Sequence, residues 1–154
     1  GLKIKKKVVQ NMEQKNLAKE LNKTNLFFRK GLKANTEKFL QRTCCLIKKK
    51  LKKKPLIFVE KAMRIIKPFC EIKTIKIKGN LIKIPNETSK KRQQLLASKF
   101  ILLSLNEKKS FFFIHNKLSN EFISIKTLNG SSIKICDTFQ KNVETNKIFM
   151  QYHF

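Results

Sequence analysis

The apolar positions along the chain recur with two different periods. Between Lys15 and Phe28, Leu17, Ala18, Leu21, Leu26, Phe27 and Phe28 return at three- to four-residue intervals, predicting a helix that Gly31 stops. Asn35, Thr36 and Glu37 then offer capping groups and a first-turn acid. Phe39, Leu40, Thr43, Cys44 and Ile47 follow at helical spacing as a second helix. Pro55 suits the first turn of a third, with Leu56, Val59, Met63 and Ile66 as its buried stripe and Lys67-Pro68 closing it. From Glu71 to Pro85 the period changes to two: lysines alternate with β-branched residues about a Gly79-Asn80 turn, the pattern of a β-hairpin. Asn86, Thr88 or Ser89 then caps a long helix carrying Leu95, Leu96, Phe100, Leu103 and Leu105. A fifth helix is expected over Phe111–Ile125, with His115 packed on or beside its apolar face. Asn129-Gly130 breaks the chain, and Ser131 or Ser132 caps a last helix that turns Cys136, Phe139 and Val143 inward.

The expected fold class is therefore mainly α. About six helices carry a protruding two-stranded β-hairpin between the third and fourth. The organisation is one domain over 1–154, with a basic arm at 1–14, the hairpin at 71–85 and an aromatic tail at 149–154 that either packs or stacks on bases.

Charge changes the picture most. At 154 residues and 41% apolar content the chain can bury one core, which argues against wholesale disorder. Yet 36 Lys and Arg face 10 Asp and Glu, a formal +26. Self-repulsion on that scale opposes compaction unless a polyanion neutralises it. A charged ribbon with little apolar surface is marginally stable alone, so Lys73, Lys76, Lys78 and Lys83 around Gly79 point to an anionic partner. Lys3, Lys5, Lys6 and Lys7 in the arm, Lys30 and Lys33 between the first two helices, and Lys99 add to the set. The run Lys48–Lys54 taken alone reads equally well as a solvated loop or helix end. Lys90, Lys91 and Arg92 open a helix, where cations oppose the macrodipole; a bound phosphate would reverse that cost.

Other classes of function lack their residues. No P-loop, G-x-S-x-G or H-E-x-x-H is present and the carboxylates are scattered, so no catalytic residues and no cofactor are expected. Cys44, Cys45, Cys70 and Cys136 include no C-x-x-C pair and sit far in sequence from His115 and His153. They read as reduced thiols in a reducing compartment, with no metal site. Leu2–Val9 is interrupted by four lysines, unlike a secretory signal. The longest apolar stretches are too short to span a bilayer, and no helix shows a lipid-facing surface, so no membrane partner is expected. The abundance of Lys, Ile, Asn and Phe suggests an AT-rich, organellar gene.

These residues also carry a family likeness. Ile66-Lys67-Pro68, the run from Glu71 to Gly79, Ile84-Pro85, and Arg92-Gln93-Gln94-Leu95-Leu96-Ala97 resemble, without a gap, the central segment of the small-subunit ribosomal protein seven family. Gly31 through Glu37, Asn146 to Phe149, and the end Gln151-Tyr152-His153-Phe154 resemble its flanking motifs. The resemblance implies an all-helical body with a protruding ribbon. It implies binding to the three-prime major domain of small-subunit ribosomal RNA, nucleation of head assembly, and a ribbon bordering the tRNA exit site and the messenger path. Neighbouring head and platform ribosomal proteins are the implied protein partners, and Tyr152 joins the basic residues above as an RNA contact. Two departures stand out: Ile75 and His153 replace family arginines. Joined to the AT-rich palette, the likeness favours a mitochondrial ribosome, with plastid or bacterial cytoplasm behind it. The alternative is a DNA-bending architectural protein with a β-ribbon arm, for which Leu81 is the one apolar wedge near the tip.

Overall fold

The computed structural model describes residues 33–107 and 113–147. The arm, the helix expected at 15–28 and the aromatic tail lie outside these residues. Five helices and one hairpin follow in order: α1 (Lys33–Leu51), α2 (Pro55–Ile66), β1 (Cys70–Ile77), β2 (Asn80–Glu87), α3 (Lys90–Glu107), α4 (Ile114–Lys126) and α5 (Ser131–Thr145). The hairpin stands between α2 and α3, as the change of period predicts.

Helix boundaries follow local chemistry. α1 begins at Lys33, ahead of the expected cap at Asn35, as Ala34 is a strong helix former that lets the helix extend upstream. It ends in Lys48, Lys49 and Lys50, where cations complement the macrodipole, and Lys52 with φ 52 breaks it. The lysine run is thus a helix end that continues into a loop. α2 starts on Pro55 and stops at extended Lys67, the backbone shape that Pro68 imposes on the residue before it. α4 starts at Ile114 and not at Phe111, because Phe113 is extended (φ −58, ψ 148).

One core joins four helices. Leu40, Cys44 and Ile47 of α1 meet Phe58, Val59, Ala62, Met63 and Ile66 of α2. Ala97, Ile101 and Leu105 of α3 and Leu118, Phe122 and Ile125 of α4 complete it. A smaller cluster joins Leu96 and Phe100 of α3 to Cys136 of α5, with Phe139 tilted against Phe100 at 5.4 Å between ring centres. Leu103 departs from the expected stripe of α3 and is exposed, because the inward positions run 96/97, 100/101, 104/105. Ser104 takes one of them.

That serine belongs to a buried polar knot. The N-cap of α5 is Gly130, which has no side chain to satisfy the helix's free amides. Glu121 of α4, fully buried, does so across the interface: its Oε1 accepts from Ser132 N at 2.9 Å and from Ser132 Oγ at 2.6 Å. Ser104 Oγ lies 3.0 Å from the Ser132 hydroxyl and donates to Ile101 O at 2.7 Å. Neither Ser131 nor Ser132 is therefore the cap expected from sequence, since a carboxylate from another helix replaces both.

The hairpin turn also differs from expectation by one residue. Ile77 pairs with Asn80, so the two-residue turn is Lys78-Gly79, with φ 47 and φ 85. Two consecutive positive φ values make this a type I′ turn, whose twist suits flanking strands and whose second position favours glycine. A Gly79-Asn80 turn would set Lys76 directly opposite Lys83. The actual register puts Lys76 opposite Leu81 and Lys83 opposite Thr74, avoiding a like-charge pair.

Candidate nucleic-acid interface

The hairpin is anchored at one end and free at the other. At its base Thr88 N donates to Phe69 O at 3.0 Å, and Thr88 Oγ1 lies 3.0 and 2.9 Å from Pro68 O and Phe69 O. Ile84 and Pro85 are buried, and β1 packs against α5. Towards the tip Lys76, Lys78, Gly79, Asn80 and Leu81 are all exposed. No carboxylate lies between Glu71 and Glu87, so the free end is purely cationic.

Register sorts its side chains onto two faces, since directly opposed residues share a face. One face carries Thr74, Lys76, Leu81 and Lys83, all exposed. The other carries Ile75, Ile77, Ile82 and Ile84 with Lys73 among them. Half-buried Ile75 sits directly across from Ile82. This apolar cross-strand pair is of a kind that contributes about 0.2–1 kcal/mol to a ribbon with few other contacts.

A second basic group adjoins the base. Ser89 precedes α3 and caps it, its Oγ accepting from Arg92 N at 3.4 Å. Lys90 and Lys91 are exposed beside it. Arg92 differs: its Nε bonds Glu71 Oε2 at 3.0 Å, tying the start of α3 to the first residues of β1. Arg92 is itself about half exposed, so the pair adds little stability, but it fixes the guanidinium at the hairpin base. Lys99, seven residues on and exposed, shares the Arg92 face of α3.

The structure thus places Lys76 and Lys83 on one face of the ribbon, Lys73 on the other and Lys78-Gly79 at its tip, while Lys90, Lys91 and Arg92 stand at its base with Lys99 further along the same helix. Lys33 lies in the first turn of α1, apart from them in sequence. Lys3, Lys5, Lys6, Lys7, Lys30 and Tyr152 lie outside the described residues. Phe69, 77% exposed beside the clamped base, went unread in the sequence, where it merely follows Pro68. His115 is half-buried and stacks on Phe113 at 5.5 Å, lining a groove with Lys38, Arg42, Cys45 and Lys49. Among the described residues no group of His, Cys, Asp and Glu is placed to hold a metal, and no helix is long and apolar enough to cross a membrane. An array of flexible point charges on a ribbon, with backbone held rigid at its base, suits the backbone of a nucleic acid.

Comparison with known proteins agrees with that chemistry. Residues 3–147 match the family model described as ribosomal protein S7p/S5e. The small ribosomal subunit protein uS7 of Syntrophus aciditrophicus is 31% identical over 130 residues, covering 84% of this chain and 83% of that protein. That of Desulfatibacillum aliphaticivorans is 32% identical over 133 residues, with the same coverage. The small ribosomal subunit protein uS7c of Prototheca wickerhamii is 30% identical over 128 residues, covering 82% of this chain and 80% of its own length. With almost its whole length matched and its helices and ribbon in the order that the residues predict, the chain belongs to the ribosomal protein S7p/S5e family.

Proposed function

We propose that this protein is a structural, non-catalytic component of the small ribosomal subunit that binds the three-prime major domain of its RNA and nucleates assembly of the head. The single observation that carries the reading is the cationic hairpin, free at its tip and clamped at its base, in a chain of this family. Lys73, Lys76, Lys78 and Lys83 contact phosphates and minor-groove sugars, because double-stranded RNA is recognised mainly by shape and backbone. Lys90 and Lys91 hold a phosphate at the start of α3, with Arg92 oriented by Glu71. The ribbon lies beside the tRNA exit site and the messenger path, against neighbouring head and platform proteins. The AT-rich residue palette supports a mitochondrial ribosome as its location.

A filter-binding titration tests this at near-physiological salt. The protein is expected to bind a transcript of the three-prime major domain far more tightly than random duplex DNA. Equal affinity for the two would refute the RNA reading. Leu81, 73% exposed next to the turn, is the wedge that a DNA-bending arm needs, so that alternative is tested too. Comigration with small subunits at high salt supports the ribosomal reading, and comigration with nucleoids would replace it.

A further inference from the structure

The groove between α1 and α4 has a chemistry of its own. Lys38, Gln41, Arg42, Cys45, Leu46 and Lys49 of α1 line it together with His115 of α4, around about 360 Å³. Pockets for small ligands span roughly 300–1,000 Å³, so the space suits one. The α1 residues recur at intervals of three and four, which makes them one continuous stripe along the helix. Cys45 lies towards its middle. Arg42 stands three residues before it, Lys38 a turn further back, and Lys49 four residues after it. The thiol is half-buried, and the three cations around it are exposed. Among the described residues Lys38, Arg42 and Lys49 make no ion pair, and no carboxylate lines the groove.

The other cysteines lack this combination of access and charge. Cys44 and Cys136 are buried, and burial raises both thiols. Cys70 is half-buried like Cys45, but it stands in β1 directly opposite Glu87, whose carboxylate repels an anionic reagent. At Cys45 the charges have the opposite sign and a definite layout. A cation about one turn to either side of a thiol matches a compound with sulfur in its middle and a carboxylate at each end. A tripeptide thiol with a central cysteine and two outer carboxyl groups has that layout. Arg42 can take one carboxylate through its planar fork and Lys49 the other, which lays the compound's sulfur over Cys45.

We propose that this groove binds a small dicarboxylate thiol compound of the glutathione type, and that Cys45 forms a mixed disulfide with it. The step is thiol–disulfide exchange with the oxidised dimer of that compound. The Cys45 sulfur attacks one sulfur of the dimer, and a new S–S bond forms as the old one breaks. The other half leaves as a thiol, carrying the proton that Cys45 gave up. Cys45 is thereby oxidised, the departing half is reduced, and excess thiol reverses the step. The adduct sets carboxylates on the cations of α1, a reversible change of charge at a basic surface. It stands independently of the ribosomal RNA reading.

Its test treats the reduced full chain in parallel with oxidised glutathione, an anionic disulfide, and cystamine, a cationic one. Mass spectrometry follows the adducts at Cys45 and at Cys70, which shares the molecule's net charge and is the internal reference. The rate ratio of oxidised glutathione to cystamine is expected to be at least about tenfold higher at Cys45 than at Cys70. Roughly half-molar sodium chloride should remove most of that preference. The triple variant K38Q, R42Q and K49Q should remove it as well, with circular dichroism and melting showing that the fold survives. Should that variant not fold, R42Q alone and the salt series on the unmodified chain carry the same test. Equal ratios at the two thiols overturn the proposal, and so does a preference that survives both salt and loss of the cations. S-methylglutathione, which cannot exchange, should slow alkylation of Cys45 by iodoacetamide and leave Cys70 unaffected. Unchanged labelling of Cys45 in its presence would refute binding in the groove.

Discussion

Glu121 has no exposed surface, and a buried carboxylate persists only where its hydrogen bonds are supplied. Ser132 supplies them through both its amide and its hydroxyl, so the carboxylate holds the start of α5 against α4. Glu121→Ala leaves those donors unsatisfied and is expected to cost about 3 kcal/mol in a urea unfolding titration, against a smaller loss for Glu121→Gln. Gly130 is needed here for space: its φ of −74 suits any residue, but an added Cβ would lie 2.9 Å from Glu121 Oε1 and 3.3 Å from Ile125 N. The pinned carboxylate cannot yield, so Gly130→Ala should lose about 1–3 kcal/mol. That loss should shrink when Glu121 is already alanine, a coupling that a double-mutant cycle reads directly. The cysteines differ in the same way by surroundings. Burial, and next the adjacent Cys45, push the Cys44 thiol up to about 12 from 9.0, and burial followed by Asp137 raises Cys136. The unfolded chain releases the Cys44 proton near pH 9 while the folded one retains it. Stability from this group is therefore full below pH 9 and is lost as pH rises towards 12. Iodoacetamide at pH 8 should label half-buried Cys45 and Cys70 well before Cys44, as followed by mass spectrometry. Equal labelling rates would contradict the burial argument.

Among the elements, the hairpin turn is where local preference and composition disagree. A type I′ turn favours Asn-Gly, yet Lys78 holds the first positive-φ position at φ 47. A lysine kept against its conformational preference at the exposed tip is best explained by its charge. Lys78→Asn is thus expected to slow amide exchange along β1 and β2 while weakening RNA binding severalfold. A variant that gained on both measures would show that Lys78 has no role in binding. The same turn marks the limit of what spacing can reveal. Five helices and the ribbon were legible because apolar stripes such as Val59, Met63 and Ile66 recur at one period and the ribbon alternates at another. The turn was misplaced by one residue because Gly79-Asn80 is itself an acceptable loop pair. Only the conflict between Lys76 and Lys83 across the strands excludes it, and that conflict depends on register. Glu121 as a cap was illegible for a related reason: it is brought to Ser132 from a different helix. The hairpin lysines, contiguous in the chain, were readable at once.

The whole molecule is governed by its charge of +26. Within the described residues the main core is a single four-helix cluster, and the ribbon adds little buried surface of its own. Lysines occupy both ends of α2 as well as the ribbon, so repulsion acts across the fold and not at one patch. Over such distances it is screened by salt, with a Debye length of about 8 Å at physiological ionic strength. The isolated protein is therefore expected to melt higher as sodium chloride is raised, by about 5 °C between dilute buffer and roughly half-molar salt. Binding to RNA must respond in the opposite sense, since salt competes with the phosphate contacts and affinity falls steeply as it rises. A thermal scan of the free protein and a titration of its RNA complex across the same salt series separate the two effects. A melting temperature that fell with added salt would mean that attractive ion pairs, and not lysine repulsion, dominate the free fold. With RNA at saturating concentration the melting temperature should rise most at low salt, because the ligand then binds tightly to the very charges that destabilise the protein alone.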